Sequence, residues 1–580
     1  MATIEELCSE VDASKMMHHL QEFARRVKLS GTPDELESFG YLKSTLDGMG
    51  FATNLIRHEA YISLPGSARL EVGAEQPSCI THSFSRSSGP SGVSGRLIYL
   101  QNGTEADFAN QDVGGRVVLV DGLATPAVSL RATQAGAIGQ IHASVHQHKH
   151  EMCISPVWGS PTDETVRFLP QTVVLTIAKG DGDSLKARLV QSEVDVTLFA
   201  EVDTGWRKTP ILVADLASGN GRPDEPFVMF SGHHDTWYLG VMDNGGANAT
   251  MLEVARLLST RRSAWRRGLR LCFWSGHSHG RYSGSTWYAD HHWAELSRRC
   301  VAHVNVDSTG GRGNTVLSDM PVSAELRALA TEAVRVQGGQ ELTGLRPSRA
   351  GDQSFWGIGI PSLFMTGGEQ PAESGNNVAA AIFGGSGRKG AGFGWWWHTP
   401  DDTLDKMDPD LLVRDTRIYV HAIGRLLSDA IPPLDYTIYA DALLVELSMF
   451  ADRMVNGIDL SPLVTAVQAL NAKASALNAV IRSAPDAPAS AAIEAALMKL
   501  SRHLVPVDYV GGDRFAQDAA LSQSPYPLLD PLRRLQAARE GSDEAGFLNV
   551  AAIRARNKMV QALHDALAVL DACLAALPRH

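Results

Sequence analysis

Apolar residues recur along this chain at two different spacings, and each change of spacing marks a change of predicted structure. In residues 35–62 the spacing is first three and four, through Phe39, Leu42 and Leu46, and it becomes alternating after Gly50. A spacing of three and four is typical of one face of a helix, whereas alternation is typical of a half-buried strand. The segment therefore predicts a helix followed by a strand.

Residues 90–200 contain short apolar runs separated by turn residues, such as GRLIYL at 95–100 and GRVVLVDG at 115–122. One small helix is predicted around SLRATQAGAIG at 129–139. Short strands at close intervals, with turn residues between them, are typical of a β-rich unit. We therefore expect an inserted β-rich domain in this part of the chain.

Apolar strands alternate with longer helical patterns between about residues 205 and 430. In chain order these elements are strand 226–230, helix 248–262, strand 269–274, helix 285–299 and strand 301–306. Alternation of this kind predicts a largely parallel sheet that is covered by helices on both faces.

The last part of the chain is rich in Ala and Leu. After Pro432 and Pro433 the apolar spacing becomes helical, as in residues 460–483 and 550–577. The run SAPDAPAS at 483–490 is flanked by helical patterns, so it predicts a loop between two helices. We expect a helical C-terminal domain.

Composition and charge exclude several classes of function. The chain has 580 residues, of which 44% are hydrophobic and 20% charged, as in a packed protein of several domains. Its net charge of -12 argues against nucleic-acid binding, because that affinity comes largely from Lys and Arg. The first residues lack a basic segment followed by an apolar one, and no apolar run approaches the ~18 residues of a membrane span. We expect a cytoplasmic protein with no nucleic-acid and no membrane partner.

The cysteines indicate neither a disulfide framework nor a thiolate zinc site. All six are scattered, and none is part of a CxxC pair. We expect free thiols that are mostly buried.

Candidate chemistry follows the predicted strands. In an open parallel sheet, functional groups collect beyond the carboxyl ends of the strands. The residues found there or in a later Gly-rich loop are His233, Asp235, Asp243, His277, His279, Asp307 and His398. A single His or Asp at a strand end is more often a cap than a ligand, but imidazoles and carboxylates at neighbouring strand ends predict a site for divalent metal. One Asp can bridge two ions.

The order of these motifs is specific. HxD at 233–235, a further Asp, a strand that ends in Trp274, NVD at 305–307 and HTPDDTLD at 398–405 together resemble the M28 family of metallopeptidases. Over almost the whole chain the arrangement resembles the glutamate carboxypeptidase II/transferrin receptor branch of that family.

The resemblance implies a fold and a domain order. The fold class is α/β, an M28 phosphorylase/hydrolase-like doubly wound mixed sheet with an inserted β-rich protease-associated-like domain and a helical C-terminal domain. The implied units are an N-terminal part of the catalytic domain at 1–88, the insertion at 89–203, the metal-binding catalytic domain at 204–432 and a helical dimerisation-like domain at 433–580. A homodimer assembled through the last unit is expected.

The resemblance also implies roles for single residues. His233 and Asp307 would bind a first metal, Asp243 would bridge to a second, and His398 would bind that second ion. Asp235 would fix the ring of His233 from behind, as carboxylates behind metal-binding imidazoles do. For Asp402, support of the site and capping of the next helix remain equally open.

One segment departs from the family pattern. Family peptidases carry a Glu-Glu pair in WxxEExGLxGS, where the first Glu is the general base and the second a metal ligand. Residues 274–285 here read WSGHSHGRYSGS, which is one residue longer. Counted from Trp274, His277 takes the base position and Ser278 the ligand position. Counted from Gly284, Ser278 takes the base position and His279 the ligand position.

Neither alignment recovers a carboxylate, so the usual general base is absent. Because imidazole is a good ligand and a seryl hydroxyl a poor one, we expect His277 to act on the reacting water or substrate and His279 to replace the lost ligand. The alternative is that both histidines only cap the loop. We expect one or two divalent ions, with zinc first, while a His-rich set also suits iron or manganese.

Other residues carry weaker signals. Trp397, in the run Trp395–Trp397, is a candidate for an aromatic substrate pocket, although such runs are more often packing. Arg388, next to Lys389, is a candidate partner for a substrate carboxylate, and equally for solvent. The histidines at 146, 148 and 150 favour a solvated loop over a second metal site.

Three functions compete. The first is a metal-dependent hydrolase of the M28 peptidase type that cleaves an amide or other C–N bond of a small molecule or short peptide through metal-activated water. Without the Glu base, peptidase activity itself stays open. The second is a non-peptidase enzyme, a lyase or small-molecule hydrolase, that uses His277 and His279. The third is a non-catalytic receptor-like binding protein, and the retained set of metal-type residues argues against it.

Overall fold

A computed structural model describes the protein at residues 4–219, 221–222, 224–364, 366–372, 388–450, 454–483 and 486–577. The helices are α1 Ile4–Ser9, α2 Ala13–Phe23, α3 Pro33–Gly48, α4 Glu105–Phe108, α5 Pro126–Gln134, α6 Lys179–Gln191, α7 Ala247–Ser259, α8 Ser283–His291, α9 Trp293–Arg299, α10 Arg327–Gly338, α11 Pro409–Ser428, α12 Tyr436–Leu447, α13 Ser461–Arg482, α14 Ala487–Tyr509, α15 Asp530–Ala537 and α16 Asp543–Ala576.

The strands are β1 Ala52–Glu71, β2 Cys79–Thr81, β3 Val93–Tyr99, β4 Val117–Asp121, β5 Gly139–Ala143, β6 Val173–Ile177, β7 Asp195–Leu216, β8 Phe227–His233, β9 Gly268–Trp274, β10 Cys300–Asn305, β11 Ser362–Leu363, β12 Met454–Val455 and β13 Ile458–Asp459.

One mixed sheet runs through most of the molecule, in the order β11-β10-β8-β9-β7-β3-β4-β5-β6-β2. Strands β8, β9, β10 and β11 are parallel to one another, and so are β3, β4, β5 and β6. Strand β7 joins the two groups because its end pairs antiparallel with β9 and its beginning pairs antiparallel with β3. The mixed α/β sheet is the fold class that the sequence predicts.

The long strands β1 and β7 pair antiparallel from Ala52 opposite Asp215 to Glu71 opposite Thr197. The predicted boundary between residues 203 and 204 falls inside β7, which both groups of strands share. Strands β3 to β6 have their own hydrophobic packing, with Val117 and Leu119 on one face and Val118 and Val120 on the other. The domain limits themselves stay a prediction.

Helices cover both faces of the parallel strands that carry the candidate residues. Along β8, Val228 and Phe230 belong to the same core as helices α7 and α11. The alternate residues, Phe227 and Met229, pack in a second core with α8 and α9. Strand β8 is buried on both faces, which explains its continuous apolar sequence.

The C-terminal helices form a packed unit in which α16 contacts α13, α14 and α15. Its buried residues recur every three or four positions: Ala545, Leu548, Ala552, Ala555, Met559, Leu563, Ala566, Leu570 and Cys573. Helix α16 is also long and apolar enough, by length and composition alone, to cross a membrane. All six cysteines are free, and five of them are buried, as the sequence predicts.

The carboxyl ends of β8, β9 and β10 meet at one edge of the sheet. His233 is the last residue of β8 and pairs in register with Trp274, the last residue of β9. Asp307 follows β10 by two residues. The parallel register therefore brings three separate sequence segments to one place.

Candidate metal centre

The carboxylate of Asp243 lies between two imidazoles. Its Oδ1 atom is 3.1 Å from Nε2 of His233, and its Oδ2 atom is 3.0 Å from Nε2 of His398. Nε2 of His233 is also 3.7 Å from Oδ2 of Asp307. The structure thus brings together four of the residues that the sequence predicts as metal ligands, with Asp243 in a bridging position.

Both imidazoles are oriented by backbone carbonyls behind them. Nδ1 of His233 donates a hydrogen bond to the carbonyl oxygen of Asp235 at 2.8 Å. Nδ1 of His398 donates to the carbonyl oxygen of Glu151 at 2.7 Å. Because Nδ1 carries the proton in each ring, the Nε2 lone pair of each faces Asp243, as a metal ligand requires.

These atoms fit a bound divalent cation. Nε2 of His233 and Oδ1 of Asp243 are buried and, among the described residues, have no hydrogen-bond partner. Two ligands about 2.1 Å from a tetrahedral ion are about 3.4 Å apart, close to the distances found here. A set of three ligand-type atoms also lies within 4.8 Å of one another, one each from His233, His277 and Asp307. His and Asp donors suit zinc, and also iron or manganese.

The charges of the group reinforce one another. Burial opposes ionisation of Asp243, but His233 and His398 outweigh it and lower the pKa of the carboxyl group. Burial also opposes protonation of His233, but Asp243 and Asp307 raise the pKa of this imidazole well above its usual value. A site that stabilises a positive charge at Nε2 is one that a cation can occupy.

Asp402 supports the turn Val241–Gly246, which carries Asp243. Its carboxylate accepts hydrogen bonds from the backbone N–H groups of Met242 at 2.8 Å and Asp243 at 3.1 Å. The following short helical turn begins after Thr403 instead. The sequence left open whether Asp402 supports the site or caps the next helix. In the structure, Asp402 supports the site. Burial raises the pKa of Asp402 to about 7.

Asp235 acts on His233 through its backbone and not through its carboxylate, contrary to the expectation. Its Oδ1 atom is 3.8 Å from Nδ1 of His233. The carboxylate instead accepts hydrogen bonds from the backbone N–H groups of His277 at 3.2 Å and Ser278 at 2.9 Å, and from Oγ of Ser30 at 2.8 Å. The backbone turns after β8, so the carboxylate faces the loop after β9 and fixes its path.

His277 lies beside His233 with the two rings stacked, 3.7 Å between centroids and 13° between planes. Its Nδ1 atom is 2.7 Å from Oδ2 of Asp352. Asp352 is not among the predicted site residues, because it precedes strand β11 and the predicted residues follow strands. No local pattern in the sequence marks this position.

His279 does not join this group. Its ring is fully buried, with Nδ1 2.9 Å from Oγ of Ser30 and the ring centroid 4.4 Å from that of Trp237. Since Asp235 holds the backbone of residues 277 and 278, the next side chain turns toward the N-terminal segment. The structure places His277, and not His279, beside His233 and Asp307. This placement differs from the ligand role expected for His279.

A cavity of about 70 Å³ opens beside these residues. Its lining includes the site residues Asp243, His277, Asp307 and His398, and the side chains Met152, Cys153, Trp237, Arg281, Tyr282, Phe393 and Trp397. Met152 and Cys153 come from the inserted segment, next to Glu151, whose carbonyl orients His398. No local pattern in the sequence indicates this contribution from the insertion.

Trp397 and Arg388, the two predicted substrate-binding residues, are placed differently. Trp397 lines the cavity and stacks on His398 with 3.5 Å between ring centroids. Arg388 does not line the cavity and forms an ion pair with buried Glu369. The cavity's guanidinium belongs to Arg281, which forms no ion pair with a described residue.

The three histidines at 146, 148 and 150 brace the loop that carries His398. Nδ1 of His150 donates to the carbonyl oxygen of Trp397, and its Nε2 is 3.3 Å from Nε2 of His146. The ring of His148 stacks on Trp395 with 4.1 Å between centroids. His150 is fully buried, so this segment is not the solvated loop that the sequence favours.

Known proteins are similar to this chain in sequence or in fold. Residues 212–423 match the description Peptidase family M28. Probable glutamate carboxypeptidase VP8 of Zea mays is 26% identical over 251 residues, which cover 42% of this chain and 34% of the maize protein. Aminopeptidase NAALADL1 of Rattus norvegicus is 25% identical over 342 residues, which cover 54% of this chain and 45% of the rat protein. The matches thus span less than half of either relative.

A solved structure agrees on the fold. The zinc aminopeptidase from Bacillus subtilis superposes with a TM-score of 0.54 at 18% identity, over 72% of this chain and 96% of the bacterial one. At this identity the likeness shows the fold alone. The matched residues 212–423 include His233, Asp243, Asp307 and His398. Residues 212–423 of this chain are therefore similar to peptidase family M28.

Proposed function

We propose that this chain is a metal-dependent hydrolase that cleaves an amide or another C–N bond of a small molecule or short peptide. The observation that carries the proposal is Asp243, whose two oxygens lie 3.1 and 3.0 Å from Nε2 of His233 and of His398. Unpartnered ligand-type atoms in a buried, charged site are costly unless a cation joins them. The match of residues 212–423 to peptidase family M28 supports hydrolysis as the chemistry.

His233 and Asp307 would hold one divalent ion, with Asp243 shared and His398 on the second position if two ions bind. A divalent ion there supplies Lewis acidity, which polarises a scissile carbonyl and lowers the pKa of water. The residues of the chain position the ligands. Backbone carbonyls fix the two imidazoles, and Asp402 fixes the turn of Asp243 from behind.

The cavity favours a small substrate. A volume of about 70 Å³ lies next to the candidate ligands and is bordered by the rings of Trp237, Tyr282 and Trp397. Aromatic walls exclude water from the reacting groups and bind apolar or aromatic parts of a ligand. Arg281 at the same cavity adds a cation for an anionic group of the substrate.

The proton acceptor distinguishes this chain from family peptidases. The segment 274–285 has no carboxylate, and His277 supplies the imidazole of that segment that lines the cavity. We infer that His277 takes the role of the missing base, and that simple dipeptides are poor substrates. A lyase or small-molecule hydrolase of the same metal site is the second candidate, because the usual acid–base group is replaced while His233, Asp243, Asp307 and His398 are retained.

The test joins metal analysis to a substrate panel. The purified protein is analysed for bound metal, stripped with a chelator, reloaded with zinc, iron(II) or manganese(II), and assayed on aminoacyl, N-acyl and small aromatic amides. We expect stoichiometric metal and metal-dependent hydrolysis of at least one class. His421→Ala serves as the control for His233→Ala, because His421 is also buried but pairs with Glu332 on α10. A protein that binds no metal, with or without His233, would overturn the proposal.

We also propose a homodimer through the C-terminal helices. Phe547, Val550 and Ile553 on α16 expose 77%, 51% and 37% of their surface. Met449 and Met454 are exposed as well, and Asn549 donates a hydrogen bond to the carbonyl of Asn456 close to them. Contiguous exposed apolar side chains favour burial against another chain.

A further inference from the structure

We propose that Asp352 positions His277, so that an aspartate–histidine pair performs the proton transfer for which family peptidases use a glutamate. This inference rests on the proposed hydrolase function and names how its base works. It is carried by the contact between Nδ1 of His277 and Oδ2 of Asp352 at 2.7 Å.

Asp352 is built into the structure as a fixed acceptor. Its side chain is 1% exposed, and Oδ1 accepts a hydrogen bond from Oγ of Ser285 at 2.8 Å. Ser285 in turn contacts Oγ of Ser354 at 2.9 Å. With Oδ1 occupied by Ser285, Oδ2 is left for the imidazole of His277. A carboxylate held in this way fixes both the ring orientation and the tautomer of its histidine.

The tautomer decides what His277 can do. Since Oδ2 of Asp352 is the acceptor of this hydrogen bond, Nδ1 of His277 carries the proton and Nε2 keeps its lone pair. The ring is 15% exposed and lines the cavity beside Asp307. Nε2 can therefore take a proton from the attacking water as the C–O bond forms, and return it to the leaving nitrogen as the C–N bond breaks. Water is consumed and no other reactant is needed, while the hydrogen bond to Asp352 holds the ring of His277 in place.

The stacking on His233 argues for a base and against a further metal ligand. Two imidazoles on one tetrahedral ion spread outward from it, with ring centroids about 5 Å apart for nitrogen ligands about 2.1 Å from the metal. The rings of His233 and His277 are nearly parallel, with centroids 3.7 Å apart. In this arrangement His277 stands beside the ligand set and faces the space where a substrate would meet it.

The reactivity of Nε2 can be measured without a substrate. Diethyl pyrocarbonate acylates unprotonated imidazole nitrogen, and mass spectrometry of peptides gives a rate for each histidine. The metal-loaded protein is labelled at pH 8, with exposed His18 as the internal standard. We expect His277 to react at least as fast as His18 despite its low exposure. Protection of His277 by metal loading would make it a ligand and overturn the proposal.

The decisive comparison is Asp352→Asn against the wild type. The amide either inverts the tautomer of His277 or offers it a weaker, uncharged acceptor, so labelling of His277 should fall about threefold or more. Asp508→Asn is the matched control, because Asp508 is similarly buried but pairs with Arg346. Metal content and thermal midpoint of both variants are measured alongside. An unchanged labelling rate in folded Asp352→Asn would overturn the proposal.

Turnover measurements distinguish a failure of this inference from a failure of the proposed hydrolase function. On any amide that the wild type hydrolyses, Asp352→Asn should lower kcat with little change in KM, and Asp352→Glu should restore part of it. If the wild type hydrolyses none of the amides, the proposed function fails. The labelling rates still show whether Asp352 positions His277. If Asp352→Asn does not fold, the wild-type rates of His277 with and without metal decide the question.

Discussion

The carboxylate of Asp402 accepts a hydrogen bond from the backbone N–H of Asp243, with 3.1 Å between the two atoms. A buried carboxylate thus holds the residue that lies between the two candidate metal-binding imidazoles. Outer groups of this kind tune metal affinity without touching the metal.

We expect Asp402→Ala to weaken metal binding by about 10- to 100-fold, because the turn of Asp243 loses its anchor. Competition with a chelator of known affinity measures the change. Asp401→Ala is the control, since Asp401 is the exposed neighbour. Equal metal affinity in the two variants would show that Asp402 has no part in the site.

The imidazole of His277 should affect turnover more than metal content. We expect His277→Ala to lower the hydrolysis rate by about 10²–10⁴, the contribution of a general base, with most of the metal retained. His233→Ala should lose the metal itself. Elemental analysis and initial rates on the same preparations distinguish the two, and metal loss in both variants would make His277 a ligand.

Two arginines should differ in what they control. Arg281→Gln should raise KM for substrates that carry a carboxylate and leave KM unchanged for their neutral amides, because its guanidinium lines the cavity. Arg388→Gln should lower the thermal midpoint instead, because it leaves Glu369 buried without its partner. Matched substrate pairs provide the test. A larger KM effect from Arg388 would contradict the placement of both side chains.

Two buried histidines, His82 directly after β2 and His142 in β5, should make that part of the protein sensitive to acid. Burial lowers the pKa of His82 to about 3 and that of His142 to about 4, from an ordinary value near 6.5. The unfolded chain therefore binds protons first as the pH falls. The stability that these two histidines contribute is fully present above about pH 6.5. Below that pH, the contribution of each histidine falls by up to about 1.4 kcal/mol per pH unit, until the pH reaches its folded-state pKa.

His142→Gln measures this effect, because the difference in thermal midpoint between variant and wild type isolates one histidine. We expect the wild type to lose more stability than the variant between pH 7 and pH 4.5. Parallel curves over this range would mean that His142 is not held neutral by burial.

The exposed apolar residues of α16 predict the assembly state. Phe547→Glu should shift the protein from dimer to monomer in light scattering at micromolar concentration, because a charge is placed in the proposed contact. Val190→Glu is the control, since Val190 is 89% exposed on the inserted segment. A wild type that is already monomeric would rule out the dimer.

The sequence alone determined most of the elements and part of the site. Alternating apolar strands and helices predicted a largely parallel sheet, because burial on both faces requires continuous apolar strands. The rule that chemistry collects at the carboxyl ends of parallel strands then selected His233, Asp243 and Asp307. These inferences depend on local periodicity and on strand order, and both can be read from the amino-acid sequence.

Only the tertiary structure decided which side chains meet across long separations. Asp352 lies 75 positions from His277, and Glu151 lies 247 positions from His398. Such contacts depend on the paths of loops, which carry no periodic signal. The choice between His277 and His279 was of the same kind, because it depends on how Asp235 binds the backbone between them.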